Sequence, residues 1–600
     1  MRQALRTADL AVEGLCVVLL ALTVLATVLQ VIFRYLLNDA LVWSEEFARW
    51  CFVWSIYLGF AVVTGRDKHM RIDLLSGRVP ASWQRGVALF GSAVGAAAAI
   101  AMLVHGGAFA LQVTSSMGAL QWPSRYLYGA VPVGGALALL YLAFRRDGLY
   151  AVAGGAALFV LFLKVDPLVA LPWSVGWSLH VVAIGLMCLD VPIAYALIFG
   201  AYMSFAPQGP LMLLPIAQHL GAAVNSFLLL SIPFFILAAQ VMNAGGITHY
   251  LVRFASSLVG HMRGGLAQVN IVTQTVMAGL SGSSLAVAVG MTKAIVPEME
   301  RRGYPRAYAC AVTSAASPIE NLIPPSIGLI VFASVSTASV GALFTAGILP
   351  GIAMALALMA VVHWQAGRRG FESGTAAATL RDRALALRDA LPALLVPVLI
   401  VGGMRAGAFT ASEAGAMAVV YAILIGVFAY RRFRFRDAPR LLRDSLIDTV
   451  AVISIVAASA PFGWGLAIER IPQAVAETLG PLVGDRILLL LSINVFLLVV
   501  GLAMEFVASI VIVVPILLPL VVKAGIDPVH FGVICVMNLV IGALTPPLGV
   551  LVFATASVGG APITAVYREV TPFMCALIAV LFAVTYVPAV SLWLPRLLGY

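Results

Sequence analysis

The chain has 600 residues, of which 62% are apolar and only 10% charged, and its mean hydropathy is +1.03. That composition excludes an ordinary soluble domain and defines a polytopic, all-α membrane protein. The formal net charge of +10 falls in short loops, which points to cytoplasmic loops and not to nucleic-acid binding.

Residues 14–33 are uncharged and long enough to span. Arg2 and Arg6 precede them and no convincing cleavage site follows, so the reading is a retained first helix with a cytoplasmic N-terminus. Next come Gln30-Val31-Ile32-Phe33-Arg34-Tyr35 and Trp43-Ser44-Glu45-Glu46-Phe47-Ala48-Arg49. Ser44 is a candidate cap, and Glu45 and Glu46 sit in the first turn of the next helix, where its dipole favours them. Arg34, Glu45, Glu46 and Arg49 are expected to pair at the membrane edge and fix helix packing. A basic turn, Arg66 to Asp73, follows. Arg145 and Arg146 mark a further cytoplasmic end, and the apolar stretch Gly148 to Leu163 is expected to cross outward.

Three runs, 191–252, 321–367 and 528–567, contain no Asp, Glu, Lys or Arg. Each exceeds the ~20 residues of one crossing, so several spans or re-entrant hairpins share it. A repeat runs into the last two of them. The first copy opens Gly279-Leu280-Ser281-Gly282-Ser283-Ser284, passes Pro297 and Gly303, and reaches Pro324-Pro325-Ser326. The second opens Gly501-Leu502-Ala503-Met504-Glu505, passes Pro519 and Gly525, and reaches Thr545-Pro546-Pro547-Leu548-Gly549. Both fit P-x5-G-x20-P-P with anchors 222 residues apart and one slipped residue after the double proline. Proline removes a backbone donor and blocks helix continuation, so each copy is read as a helix broken within the bilayer. Paired breaks in two halves are the sequence mark of a secondary transporter's midplane site. The plainer reading is a pair of kinked helices.

Basic loops recur at Arg301, Arg302 and Arg306, at Arg368 to Arg388, and from Arg431 to Arg443, where a membrane-surface stretch and a solvated loop are both open readings. The six cysteines stand singly in apolar runs and suggest no disulfide or metal framework. Gly279-Leu280-Ser281-Gly282-Ser283 approaches a G-x-S-x-G elbow but lacks the last glycine, and there is no Walker loop and no H-E-x-x-H, so neither an intramembrane hydrolase nor an ATP-driven pump is favoured.

Residues Gln30 to Leu75, with their F-R-Y, W-S-E-E and R-x-D elements, resemble the small membrane subunit of tripartite ATP-independent periplasmic (TRAP) transporters, as does Met117 to Gly134. The remainder resembles the large subunit: Ser231-Ile232-Pro233-Phe234, the Gly279 to Ser284 hairpin, Ile323-Pro324-Pro325-Ser326, Gly402-Gly403 with Phe409-Thr410-Ala411-Ser412-Glu413, Phe462-Gly463-Trp464, and Asn538 with Thr545 to Gly549. The resemblance implies a fused permease: a four-helix scaffold domain at 1–146, a connecting transmembrane helix at 147–171, and a transport domain at 172–600. The transport domain would carry inverted repeats and two re-entrant hairpins and work as an elevator. It further implies Na⁺ coupling, no other cofactor, a periplasmic substrate-binding protein as partner, a small organic acid as solute, and a bacterial inner-membrane location without an ATPase subunit. A stand-alone anion transporter of related fold is the alternative.

Na⁺ in a bilayer needs hard oxygens with little net charge, which broken helices supply as carbonyls and hydroxyls. Candidate cation and solute residues are therefore Gly279, Ser281, Gly282, Ser283, Ser284, Ser317, Glu320, Pro324, Pro325, Ser326, Thr410, Glu413, Glu505, Asn538, Thr545, Pro546, Pro547 and Gly549. Three positions depart from the family pattern: Val287 where Asp is common, Glu320-Asn321 where Gly-Pro is common, and Glu505-Phe506 where Asp-Pro is usual. Glu320 or Glu505 is expected to bind or tune the cation; the plainer reading is a helix-end or locally paired carboxylate.

Overall fold

The computed structural model describes residues 2–71, 80–145, 147–164, 175–371, 377–478, 484–546 and 549–600. Pro547, the junction residues Arg146 and 165–171, and the Ile72–Asp73 end of the basic turn lie outside that set. Among the described residues the only β-pairing is an isolated bridge between Ser116 and Pro123. Among the described residues ten helices are long and apolar enough to cross a membrane, or eleven if the bent pair Leu214–Val224 with Leu228–Ala244 counts as one span.

The first compact unit comprises residues 1–233, 439–478 and 511–519. Its early helices are α1 (Arg2–Leu36), α2 (Ser44–Gly65), α3 (Ala81–Gln112) and α4 (Ala130–Ala143), followed by α5 (Gly148–Lys164), α6 (Ile193–Phe205) and α7 (Leu214–Val224). Small residues let these helices approach closely, the usual device where lipid removes the hydrophobic drive between helices. A methyl on Gly155 of α5 would lie 2.6 Å from Ala96 Cβ of α3, and one on Gly134 of α4 would lie 2.6 Å from Tyr57 O of α2.

Polar links then tie in elements distant in sequence. The Tyr57 hydroxyl donates to Leu220 O at 2.6 Å. The Thr64 and Tyr195 hydroxyls are 2.7 Å apart. Arg66 binds Glu13 at 2.6 Å and Asp9 at 3.3 Å, and Arg443 also binds Glu13. Glu13, buried near the start of α1, is thus paired with two guanidiniums, the condition for keeping a buried charge.

At the cluster of Arg34, Glu45, Glu46 and Arg49, Glu46 also holds a neighbouring loop. Glu46 Oε2 accepts the N–H groups of Ala119 and Leu120, both at 2.9 Å, and so fastens the loop after α3 to the start of α2. Arg34 lies 5.4 Å from the Tyr35 ring centroid.

The second unit comprises residues 234–438, 479–510 and 520–600. The chain enters it within α8 (Ser231–Ala244) and continues through α9 (Ile247–Val259) to α10 (Gly265–Ser281), α11 (Ser284–Arg301), α12 (Arg306–Ala316) and α13 (Ile327–Ser334). Three long helices follow: α14 (Val340–Arg369), α15 (Leu380–Arg405) and α16 (Ala411–Leu424). Then α17 (Ala438–Ile468) passes through the first unit, and the pattern resumes as α18 (Arg486–Ala503), α19 (Phe506–Lys523), α20 (Pro528–Gly542) and α21 (Val550–Gly559). The chain closes with α22 (Ile563–Tyr586) and α23 (Ala589–Leu597).

The repeat read from the sequence is built into the helix boundaries. α10 and α18 end 222 residues apart, α11 and α19 begin and end 222 apart, and α12 and α20 begin 222 apart. Between α11 and α12 the turn needs a left-handed residue and Gly303 supplies it at φ +83°; Gly525 does the same between α19 and α20 at φ +70°. After the double proline the two repeats differ: Gly328 and Gly549 stand 221 apart in the sequence, whereas the caps of α13 and α21, Ser326 and Gly549, stand 223 apart.

Candidate functional site

Four helix breaks define the site, two in each repeat. In the first, α10 ends and Gly282 turns left-handed at φ +67°. Ser283 then caps α11, its hydroxyl accepting from Ala286 N at 3.5 Å. In the matching break Glu505 caps α19, its carboxylate accepting from Ala508 N at 3.0 Å. Ser283 and Glu505 stand 222 apart, so the unusual carboxylate occupies the same capping place as a serine. The second break of the first repeat runs through a short 3-10 turn, Ser317–Asn321, to the cis Pro324–Pro325 bond and the cap Ser326, which accepts from Leu329 N at 3.2 Å. Its counterpart runs from Ala543 to Gly549, whose left-handed φ of +35° starts α21.

The breaks touch in a chain. A methyl built on Gly282 would lie 3.3 Å from Pro325 O, one on Gly279 would lie 3.5 Å from Pro324 O, and Asn321 Nδ2 donates to Ser284 Oγ. The first repeat reaches the second where the Phe506 ring fills the space over Gly328; a methyl there would meet Phe506 Cζ at 2.1 Å. Within the second repeat, a methyl on Gly542 would lie 2.7 Å from Gly501 C. Glycines at these contacts let backbone carbonyls and N–H groups come together without side chains between them. Four helix N-termini, those of α11, α13, α19 and α21, start in this region, and each brings partial positive charge and unsatisfied N–H groups.

The remaining candidates fall into three groups. Gly279, Gly282, Ser283, Ser284, Glu320, Pro324, Pro325, Ser326, Glu505 and Gly549 lie on the breaks themselves, with Glu320 only 1% exposed. Ser281 ends α10 at the same place. Thr545 and Pro546 lie on the fourth break, and the Thr545 hydroxyl donates to Ile541 O at 3.1 Å.

Ser317 and Asn538 belong to buried polar clamps beside the breaks. Ser317 Oγ stands 3.2 Å from Gln274 Oε1, Gln274 Nε2 donates to Asn270 Oδ1 at 2.9 Å, and Asn270 Nδ2 donates to Thr313 Oγ1 at 2.7 Å. In the second repeat Asn538 Nδ2 donates to Asn494 Oδ1 at 2.7 Å, and Asn494 Nδ2 to Thr585 Oγ1 at 3.2 Å. Each clamp ties the helix before a hairpin to the helix after it. Sequence reading missed Asn270, Gln274 and Asn494, although for Asn494 an amide inside a largely apolar helix was a visible signal.

Thr410 and Glu413 lie at the start of α16. They form a capping box on α16, with Thr410 N donating to Glu413 Oε2 at 2.9 Å and Glu413 N to Thr410 Oγ1 at 3.3 Å.

A helical membrane protein with duplicated broken helices is, by architecture, of the permease class. Comparison with known proteins gives the family. Residues 180–590 match the family model described as the DctM component of the tripartite ATP-independent periplasmic transporter, and residues 23–146 match the DctQ component. The chain is 33% identical to an isethionate TRAP transporter permease of Oleidesulfovibrio alaskensis, over 94% of this chain and 91% of that one. It is 29% identical to a sialic acid TRAP transporter permease of Haemophilus influenzae, over 95% and 96% of the two chains. It is 39% identical to a C4-dicarboxylate TRAP transporter large permease of Pseudomonas aeruginosa, over 62% of this chain and 87% of that one. The chain belongs to the TRAP transporter family and carries both membrane components in one polypeptide.

Proposed function

We propose that this chain takes up a small organic acid across the bacterial inner membrane in symport with Na⁺, the solute arriving on a periplasmic substrate-binding protein. The observation that carries the reading is the contact chain of four helix breaks, Gly282 to Pro325, Gly328 to Phe506 and Gly501 to Gly542. Backbone freed from helical hydrogen bonding, with Ser283, Ser284, Ser326 and Thr545 hydroxyls beside it, is the donor set Na⁺ takes in a low-dielectric interior. An organic anion suits the N-termini of α11, α13, α19 and α21. The relatives named above are called after isethionate, sialic acid and C4-dicarboxylates, all organic acids.

The four breaks belong to the second compact unit, as an elevator requires, in which one body carries the ligand while the other stays fixed. We assign residues 1–146 as the small-subunit-like scaffold, 147–171 as the connecting helix and 172–600 as the large-subunit-like part. The charge asymmetry of the loops supports a cytoplasmic N-terminus.

The experiment is uptake into proteoliposomes holding the purified chain, with a binding protein encoded beside it. Uptake is expected to need external Na⁺ and the binding protein, and to ignore ATP. Uptake of the same solute without any soluble partner would replace this reading by a stand-alone transporter, and uptake indifferent to Na⁺ would remove the coupling ion.

A further inference from the structure

Three segments far apart in sequence form one arginine-rich face in the second unit. The Tyr430 ring stacks on Tyr250 with centroids 4.5 Å apart, and its hydroxyl donates to Asp389 O at 3.0 Å. Asp389 itself binds Arg253 at 3.2 Å and Arg388 at 3.1 Å. The turn after Tyr430 folds back on the end of the α16 span, with Arg432 N and Phe433 N both donating to Gly426 O at 3.1 and 3.2 Å. Arg432 lies 5.9 Å from the Tyr250 ring centroid. This closed turn leaves Arg431, Arg432, Arg434 and Arg436 exposed. Arg253 and Arg388 join them, with side chains 56% and 73% exposed.

The nearby carboxylates are Asp389, Asp437 and Asp382, and Asp382 is occupied in capping α15 through Thr379. On the same helix Arg383 Nε is buried without an acceptor among the described residues. The depth of the face is fixed by its spans. The α16 span runs to Ala429, and the α15 span begins at Leu380. Phe428 and Phe435, 72% and 68% exposed, flank the arginines. Exposed aromatics among basic groups at a span's end match the layer where acyl chains meet headgroups.

We propose that this face is a binding site for anionic phospholipid headgroups of the cytoplasmic leaflet. Guanidiniums pair bidentately with phosphate oxygens, and the two phenylalanines enter the acyl boundary beside them. A soluble acidic partner would use the arginines but leave the phenylalanines in water. The proposal does not depend on the solute or on Na⁺, so it stands or fails apart from the transport reading.

The test is native mass spectrometry of the full chain in detergent, with phosphatidylglycerol or phosphatidylcholine added as probe. The wild type is expected to hold phosphatidylglycerol about tenfold better than phosphatidylcholine. The variant Arg253→Gln, Arg431→Gln, Arg434→Gln, Arg436→Gln should bring that preference to within about twofold. The control Arg301→Gln, Arg302→Gln, in another basic loop, should leave it intact. Single Arg431→Gln and Arg436→Gln variants, each lowering the preference about threefold, serve if the quadruple variant does not fold. An unchanged preference in these variants overturns the proposal. Displacement of the lipid by an equal concentration of inorganic phosphate or glycerophosphate overturns it in favour of a soluble-anion site.

Discussion

Substituting Gly347 by alanine probes whether the Pro324–Pro325 break must sit where it does. Gly347 lies in α14, and a methyl there would meet Leu322 O at 2.1 Å, about 1.3 Å inside ordinary contact. The obstructing atom is backbone, so no rotamer change relieves the clash. Either α14 withdraws or the segment entering the double proline moves by about an ångström. Overpacking of this kind costs ~1–3 kcal/mol, partly offset by the ~1 kcal/mol by which alanine favours a helix interior over glycine.

The matched control is Gly290→Ala in α11, where a methyl meets nothing within 4 Å and only the favourable propensity acts. Thermal unfolding in detergent should therefore separate the two variants, with Gly347→Ala below wild type and Gly290→Ala at or above it. In proteoliposomes, Gly347→Ala should lose at least ~10-fold in apparent Na⁺ affinity, because a ligand cage displaced by about an ångström is a poor one. If Gly347→Ala matched Gly290→Ala in both stability and Na⁺ dependence, the break would not be held by this contact.

The caps should respond in parallel. Ser283→Ala and Glu505→Ala should each cost ~0.5–2 kcal/mol in unfolding experiments, and a much larger loss for Glu505→Ala would mean the carboxylate does more than cap. Replacing Ser283 or Thr545 by leucine should abolish Na⁺-dependent uptake while leaving expression intact; normal uptake in both would mean these hydroxyls only pack. Asn494→Leu strips one of two acceptors from the buried Asn538 amide, Ile534 O being the other, and should cost ~1–3 kcal/mol, whereas adding Asn538→Leu should recover part of it; strictly additive losses would deny the clamp.

His69 gives a pH signature. It lies outside the spans in the turn after α2, and burial lowers its pKa from 6.5 to about 3, so the folded chain keeps it neutral while the unfolded chain protonates it below 6.5. Stability is unaffected above pH 6.5 and falls as pH drops toward 3, by ~2 kcal/mol at pH 5. His69→Gln should flatten that slope, and an unchanged slope would assign it elsewhere.

Much of this protein is legible in one dimension. Hydropathy is summed over neighbours in sequence, and proline, glycine and cap residues act on their own turn, so membrane class, repeat and breaks follow from the chain alone. The register at Gly303 and Gly525 was right because a left-handed turn is a local demand.

What the tertiary structure decided is which of these local features meet. Glu505 stood out in the sequence as a lengthened carboxylate, and only its position against Ala508 N shows it capping a helix. Glu13 was unremarked until Arg66 and Arg443 closed on it. The basic loops at Arg388 and Arg431 became one face only through Tyr250, Tyr430 and Asp389. That the Phe506 ring packs over Gly328 of the other repeat is likewise set only in three dimensions. Each outcome depends on how a helix is rotated about its axis and which distant helix it faces. That rotation is set by close packing of small residues across many contacts, which no stretch of sequence encodes by itself.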